Sequence, residues 1–214
     1  MSMSIIFEII AFLASLMVFC QKDASPALKL FPFFLLITLV VEYTGYLIGS
    51  SGRSNILLYN LFGAFSIDFY LYYVRSCIRN TRIRKWIVIS LWVYPLLVLL
   101  NIRFLQVNAF HSITYSIGCL LIVAACIVYF FELFQLKRSI NLLKEPAFWI
   151  CSSLLFFFTC TLPFIGMTNF LFRVSPVIIQ NLGGILMIII FLQYSLFTIA
   201  FLCRWQRVKN NARR

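Results

Sequence analysis

Seven long apolar segments run through the chain and leave little sequence between them. Each is close to the ~20 residues that an α-helix needs to cross a ~30 Å hydrocarbon core. Their runs are continuous, whereas the strands of a membrane β-barrel alternate. The pattern therefore predicts an all-α, polytopic seven-transmembrane-helix bundle that forms one domain, residues 1–214. The segments are 3–20, 30–50, 55–76, 86–102, 110–134, 147–167 and 177–203.

The composition agrees with this class of protein. Of the 214 residues, 63% are hydrophobic and only 11% are charged, which is too little polar surface for a soluble domain. The seven cysteines lie within or at the ends of the segments, no CxxC pair occurs, and the chain has one histidine. The sequence therefore predicts neither a disulfide framework nor a metal site, and it implies no cofactor.

The basic residues are distributed very unequally between the two ends of the predicted helices. Fifteen of the 18 fall after segments 1, 3, 5 and 7, whereas only Arg53, Arg103 and Arg173 fall on the opposite side. The positive-inside rule then predicts an outside N-terminus and a cytoplasmic C-terminus, in the inner (plasma) membrane of a bacterial cell. We expect the basic loops to contact anionic lipid headgroups, at about 1 kcal/mol per cation. A cytoplasmic protein partner is a second expectation, nucleic acid is not expected, and the oligomeric state is left open.

Two stretches of the chain match when it is shifted by 121 residues. The stretch 60–73 then falls on 181–194, and Asn60, Gly63, Ile67 and Leu71 meet identical residues. Their spacing of three, four and four places them on one helix face. This predicts a parallel 3+1+3 repeat, with repeats 1–80 and 108–206 joined by the helix at 84–102.

The seven spans, the outside N-terminus and the 3+1+3 plan resemble the layout of SWEET and PQ-loop sugar transporters. Those proteins carry a substrate-facing asparagine on the third helix of each repeat, so the resemblance implies this role for Asn60 and Asn181. Separately, the stretch ELFQLKRSINLLKEPAFWICSSLLFFF resembles segments of small uncharacterised multipass bacterial proteins. It also resembles membrane sensor modules of bacterial histidine kinases.

Two carboxyl groups, Glu42 and Asp68, lie deep in segments that contain no deep lysine, arginine or histidine. Intramembrane acids of this kind mark pathways or binding sites, or they join helices as neutral hydrogen-bonding groups. Helical spacing predicts an inward-facing stripe of Thr38, Glu42, Gly45, Tyr46 and Gly49. Glu8 is expected near the outer surface, in water. The candidate substrate- or ion-binding residues are Glu42, Asp68, Tyr46, Tyr72, Asn60, Asn181, Gln180 and Gln193.

Three functions are compatible with these features. The first is binding or transport of a small polar solute, a cation or a proton through the polar cluster. The second is a receptor-like sensor or scaffold module that acts through a cytoplasmic partner. The third is an intramembrane lipid hydrolase in which Glu42 and Asp68 share a proton. No residue is assigned a catalytic role, and an enzyme is the less favoured class.

Overall fold

Every regular element of the chain is a helix in the computed structural model, which describes residues 3–20, 24–105, 109–135, 141–171 and 176–211. The side chains of residues 3, 4, 105, 165–171, 176–182 and 204–211 lie outside this description. Seven of the helices coincide with the seven predicted segments, and α2 is one additional turn. The helices are α1 (Met3–Leu16), α2 (Pro26–Lys29), α3 (Phe31–Ser50), α4 (Ile56–Cys77), α5 (Thr81–Leu100), α6 (Ser112–Phe134), α7 (Pro146–Leu171) and α8 (Pro176–Asn211).

Five stretches of the described chain are long and apolar enough to cross a membrane, which is compatible with a membrane protein. They are Pro26–Ser50, Thr81–Phe104, Ser112–Phe134, Pro146–Phe164 and Gly183–Cys203. Helix α4 is not among them because Asn60, Asp68 and Arg75 lower its hydropathy. Helix α1 is short, but the 3-10 turn Met17–Cys20 extends it to about 29 Å in total. The orientation of the bundle stays a prediction.

Local chemistry sets where several helices begin. The side chain of Asn80 accepts hydrogen bonds from the backbone N–H groups of Arg82 (2.9 Å) and Ile83 (3.4 Å). This cap starts α5 at Thr81, five residues before the predicted boundary. Pro32 lies in the first turn of α3, where its missing N–H costs nothing. Gly52 turns the chain from α3 to α4 with φ of 71°, which glycine adopts without strain.

Six of the seven long helices form a closed ring. In order around it, α1 packs against α3, α3 against α4, α4 against α6, α6 against α7, α7 against α8, and α8 against α1. Helix α5 lies outside the ring, where it packs against α4 and α6. The helix between the two predicted repeats is therefore peripheral, and the ring consists of α1, α3, α4 and then α6, α7, α8.

The faces that the repeat would relate are used differently in α4 and α8. Gly63, Ile67 and Leu71 are buried in the bundle. The corresponding residues of α8, Gly184, Ile188 and Leu192, are exposed. The side chain of Asn181 lies outside the described part of the chain. The 3+1+3 repeat consequently stays a prediction, and the helix packing gives it no support at this face.

The core of the bundle centres on Phe31, which is completely buried. Its ring lies 5.0 to 6.1 Å, between centroids, from five other rings on α3, α4 and α8, mostly in edge-to-face geometry. Those rings belong to Phe34, Phe69, Tyr73, Phe197 and Phe201. The outer surface carries many large apolar side chains, among them Trp86, Trp92, Phe104 and Phe134. A lipid environment accounts for such exposure, which would be unfavourable in water.

Candidate functional site

The ring of helices surrounds a cavity of about 260 Å³. All six ring helices contribute described residues to its wall, and α5 contributes none. The cavity contains two carboxyl groups, Glu8 from α1 and Glu42 from α3, and we call it the Glu8–Glu42 cavity. Its other described lining residues are Phe34, Thr38, Tyr59, Phe62, Gly63, Ser66, Tyr70, Phe110, Tyr115, Phe157, Phe158, Ile190, Gln193 and Tyr194.

Glu8 is the more deeply buried of the two acids. It is only 4% exposed, and its Oε2 atom has no hydrogen-bond partner. The expectation that Glu8 lies in water near the outer surface is therefore wrong. The reason is that Glu8 shares one helix face with the small residues Ala11 and Ser15, and this face packs into the bundle. Small residues on an apolar helix were the sequence signal that indicated the orientation of Glu8.

Glu42 reaches the cavity from α3 and is held by one partner. The Tyr59 hydroxyl donates a hydrogen bond to Glu42 Oε2 across 3.4 Å. Gly45, one turn from Glu42, makes room for this contact, because a Cβ there would lie 2.5 Å from the Tyr59 hydroxyl oxygen. Helix α4 therefore approaches α3 closely at Gly45, which is buried.

The other polar side chains of the cavity are partly engaged within their own helices. Thr38 donates to the carbonyl of Phe34 (3.0 Å), and Ser66 donates to the carbonyl of Phe62 (2.8 Å). Gln193, from α8, is buried and lines the cavity. Its side chain also forms a hydrogen bond with the Tyr70 hydroxyl. The two carboxyl groups are therefore the groups best placed to meet a ligand.

Aromatic rings form most of the remaining wall. Nine of the sixteen described lining residues are phenylalanine or tyrosine. Several of these rings contact one another. The ring centroids of Phe34 and Tyr70 lie 5.0 Å apart, and those of Tyr70 and Phe158 lie 5.8 Å apart. Phe157 and Phe158 continue the contact at 5.1 Å. The cavity is consequently a mainly aromatic space into which two acids project.

No lysine, arginine or histidine occurs among the described residues that line the cavity. Within the described part of the chain, the two carboxyl groups therefore have no fixed counter-cation. In the described part of the chain, no cluster of three or more histidine, cysteine, aspartate or glutamate side chains is arranged to hold a metal ion. The site can compensate its acids with protons or with a ligand that brings its own positive charge.

Asp68, the second acid predicted from the sequence, lies elsewhere. It does not line the Glu8–Glu42 cavity, and its Oδ1 atom is buried without a hydrogen-bond partner. Tyr72, one turn away, is half-buried against the core. Glu42 bonds to Tyr59 and Asp68 lies outside the cavity, so the cavity does not bring together the Glu42–Asp68 pair on which the hydrolase hypothesis rested.

The remaining candidates occupy different environments. Tyr46 is 55% exposed and Gly49 is also exposed, so the predicted inward stripe ends at Gly45. Asn60 is buried and joins α4 to the backbone that precedes α6. Its Nδ2 donates to the carbonyl of Ala109 (3.0 Å), and its Oδ1 accepts from the N–H of His111 (3.0 Å). The side chains of Gln180 and Asn181 lie outside the described part of the chain.

A second cavity, of about 290 Å³, lies at the opposite end of the bundle. Glu132, one of the two acids that line it, is fully engaged, because its two oxygens accept from the backbone N–H groups of Arg79 (2.7 Å) and Asn80 (3.0 Å). This contact ties the end of α6 to the turn between α4 and α5. The role of Glu132 in this cavity is structural. We take the Glu8–Glu42 cavity as the candidate site because it contains a buried carboxyl oxygen, Glu8 Oε2, without a hydrogen-bond partner among the described residues.

No known protein family, characterised protein or solved structure matches this chain.

Proposed function

We propose that this chain is a multipass inner-membrane protein that binds a small polar solute or cation in the Glu8–Glu42 cavity and carries it across the membrane. One observation carries the proposal. Glu8 and Glu42 line a single cavity, and no basic side chain accompanies them among its described residues.

The free energy of burying these acids supports a binding role. A carboxylate in a membrane-spanning helix costs up to about 3 kcal/mol on insertion scales, with the full value at the bilayer centre, and two in one cavity also repel each other. A neutral carboxyl that only joins helices would be expected to have its hydrogen bonds satisfied. Glu8 Oε2 has none, although it is buried. A bound cation or a proton in transit supplies the missing partner.

The position of the cavity supports transport over static binding. Its wall combines residues of α1, α3 and α4 with residues of α6, α7 and α8. Sites of secondary transporters commonly lie between two sets of helices that rock against each other. In that arrangement, the aromatic contacts across the cavity would separate and re-form as it opens to each side.

Flux measurements in proteoliposomes test this function. The full chain would be reconstituted, and uptake of labelled cationic, neutral and anionic solutes would be followed together with internal pH. We expect a cationic solute, or protons alone, to cross faster than in protein-free vesicles. Glu8→Gln and Glu42→Gln should abolish this flux.

Asp68→Asn is the matched control, because it removes an intramembrane acid that does not line the cavity. It should retain most of the flux. Equal rates in protein-containing and protein-free vesicles for every solute class and for protons would contradict the proposed function.

A further inference from the structure

We infer that the ligand of the Glu8–Glu42 cavity is a small organic ammonium ion rather than a bare metal cation. This inference rests on the proposed function, since it names the class of solute for the same site. It follows from three properties of the cavity: its charge, its wall and its size.

The charge of the cavity calls for a cation. Glu8 is 4% exposed, and among the described residues its Oε2 has no hydrogen-bond partner and Glu42 has only the hydroxyl of Tyr59 as a partner. An ammonium group carrying N–H donors would satisfy both carboxyl groups through charge-assisted hydrogen bonds. A fully alkylated ammonium has no N–H donor and would compensate the charge of the two carboxyl groups through Coulomb attraction alone.

The wall of the cavity suits an organic cation better than a metal ion. Calcium takes six to eight oxygen ligands and magnesium six, largely carboxylates, carbonyls and water. The cavity offers only two carboxyl groups among its described residues, and its other side-chain oxygens are the Gln193 amide and hydroxyl groups. Most of the remaining wall is rings such as Phe34 and Phe158. Aromatic rings attract alkylammonium groups within about 6 Å of their centroids and also pack against the alkyl carbons. A metal ion would gain little from such a wall.

The volume of the cavity suits a small ligand. Its volume of about 260 Å³ lies just below the roughly 300–1,000 Å³ of pockets for drug-sized ligands. A tetramethylammonium or choline-sized ion is therefore an appropriate probe, whereas a long polyamine would need to extend beyond the described wall.

Calorimetric titration and thermal unfolding of the purified full chain test the inference. The probes are tetramethylammonium, choline, and 3,3-dimethylbutan-1-ol, which has nearly the shape of choline without its charge. Sodium and potassium chloride at the same ionic strength control for general salt effects. We expect the two ammonium ions to bind and to raise the unfolding temperature, and we expect no such effect from the alcohol or the salts.

Variants locate the binding. Glu8→Gln and Glu42→Gln should weaken ammonium binding at least tenfold, and Phe62→Leu, which removes one ring from the wall, should weaken it several-fold. Asp68→Asn and Phe131→Leu alter an acid and a ring outside the cavity and should leave binding unchanged. Tyr59→Phe, which removes only a hydroxyl, gives a mild alternative if a glutamine variant fails to fold.

The outcomes separate this inference from the proposed function. Equal binding of choline and its uncharged analogue, or ammonium binding that Glu8→Gln and Glu42→Gln leave intact, would overturn the inference. Binding of sodium, potassium or protons that depends on Glu8 and Glu42, without ammonium binding, would overturn it while the proposed function stands. Absence of binding and of flux for every class would overturn both.

Discussion

Gly45 and Tyr59 occupy adjoining space on α3 and α4 so closely that a Cβ at Gly45 would lie 2.5 Å from the Tyr59 hydroxyl oxygen and 2.9 Å from its Cζ. The ring of Tyr59 can therefore lie against α3 only because residue 45 has no side chain. In this position the hydroxyl meets the carboxylate of Glu42. One glycine thus positions the hydrogen-bond donor of an acid in the candidate site.

Gly45→Ala should displace Tyr59 from Glu42. Overpacking of this kind costs about 1–3 kcal/mol, so we expect a clear loss in the free energy of unfolding. Gly49→Ala is the matched control, because the nearest atom to its added Cβ would be Asn55 Nδ2 at an ordinary 3.7 Å. Denaturant unfolding in detergent of Gly45→Ala, Tyr59→Ala and the double variant gives the coupling between the two residues. Strictly additive losses would show that the two residues do not interact.

Phe31 should be the aromatic residue on which the core depends most. Truncation of a buried phenylalanine costs about 3–5 kcal/mol, and Phe31 contacts five other rings. We expect Phe31→Ala to lose stability in this range. Phe33→Ala, two residues away but exposed, should lose about 1 kcal/mol or less. Similar unfolding curves for the two variants would contradict the packing described for α3, α4 and α8.

Asn60 is expected to act on stability rather than on ligand binding. Asn60→Leu removes the hydrogen bonds to the carbonyl of Ala109 and from the N–H of His111, and we expect a loss of about 1–3 kcal/mol. Thr44→Ala is a control, because the Thr44 hydroxyl bonds only a carbonyl of its own helix. If Asn60→Leu instead weakened ligand binding without loss of stability, the asparagine would have the substrate-facing role that the transporter resemblance implied.

Glu132 should stabilise the end of the bundle opposite the candidate site. Glu132→Ala removes both acceptors for the N–H groups of Arg79 and Asn80, whereas Glu132→Gln keeps one carbonyl oxygen. We expect a loss of about 1 kcal/mol or more for alanine, because charge-assisted bonds are lost, and a smaller loss for glutamine. Chemical denaturation of both variants, with the exposed Gln135→Ala as reference, measures this order. A larger loss for glutamine than for alanine would contradict a stabilising contact between Glu132 and these two N–H groups.

The orientation of the chain follows from its basic residues and needs its own test. Alkaline phosphatase inserted after Gly52 should be active, because that turn is predicted to lie on the outer, non-cytoplasmic side of the membrane. The same enzyme inserted after Asn80 should be inactive, since Asn80 is predicted to lie in the cytoplasm. The opposite pair of activities would show that the chain has the inverse orientation in the membrane. The helix packing and the cavity described here would not change.

The helices themselves were predictable because hydropathy alone determines them. All seven predicted segments are helical. The largest boundary error is at the end of α8, which continues to Asn211 and not to residue 203, and the five-residue error at the start of α5 came from the unrecognised cap at Asn80. The rotation of each helix about its axis was harder to predict. It depends on contacts with other helices, such as the packing of the Gly45 surface against Tyr59, and no single segment specifies them.

The same limit explains the errors in the candidate site. Glu8 was assigned to water from its nearness to a helix end, although its face of small residues indicated burial. Glu42 was recognised as an inward-facing acid, and Asp68 was grouped with it because both lie deep in segments that contain no deep basic residue. Glu42 and Asp68 lie on neighbouring helices, yet only Glu42 faces the cavity. Depth along a helix was predictable from the sequence, whereas direction around the helix required the bundle.

The position of a bound cation is the most direct test of the site. Tetramethylarsonium has the shape and charge of tetramethylammonium, and arsenic gives an anomalous diffraction signal. Crystals of the full chain with this ion should show one arsenic peak inside the Glu8–Glu42 cavity, near both carboxyl groups and within about 6 Å of aromatic ring centroids. An arsenic signal found only outside the cavity, or none at a concentration that saturates tetramethylammonium binding, would contradict the site.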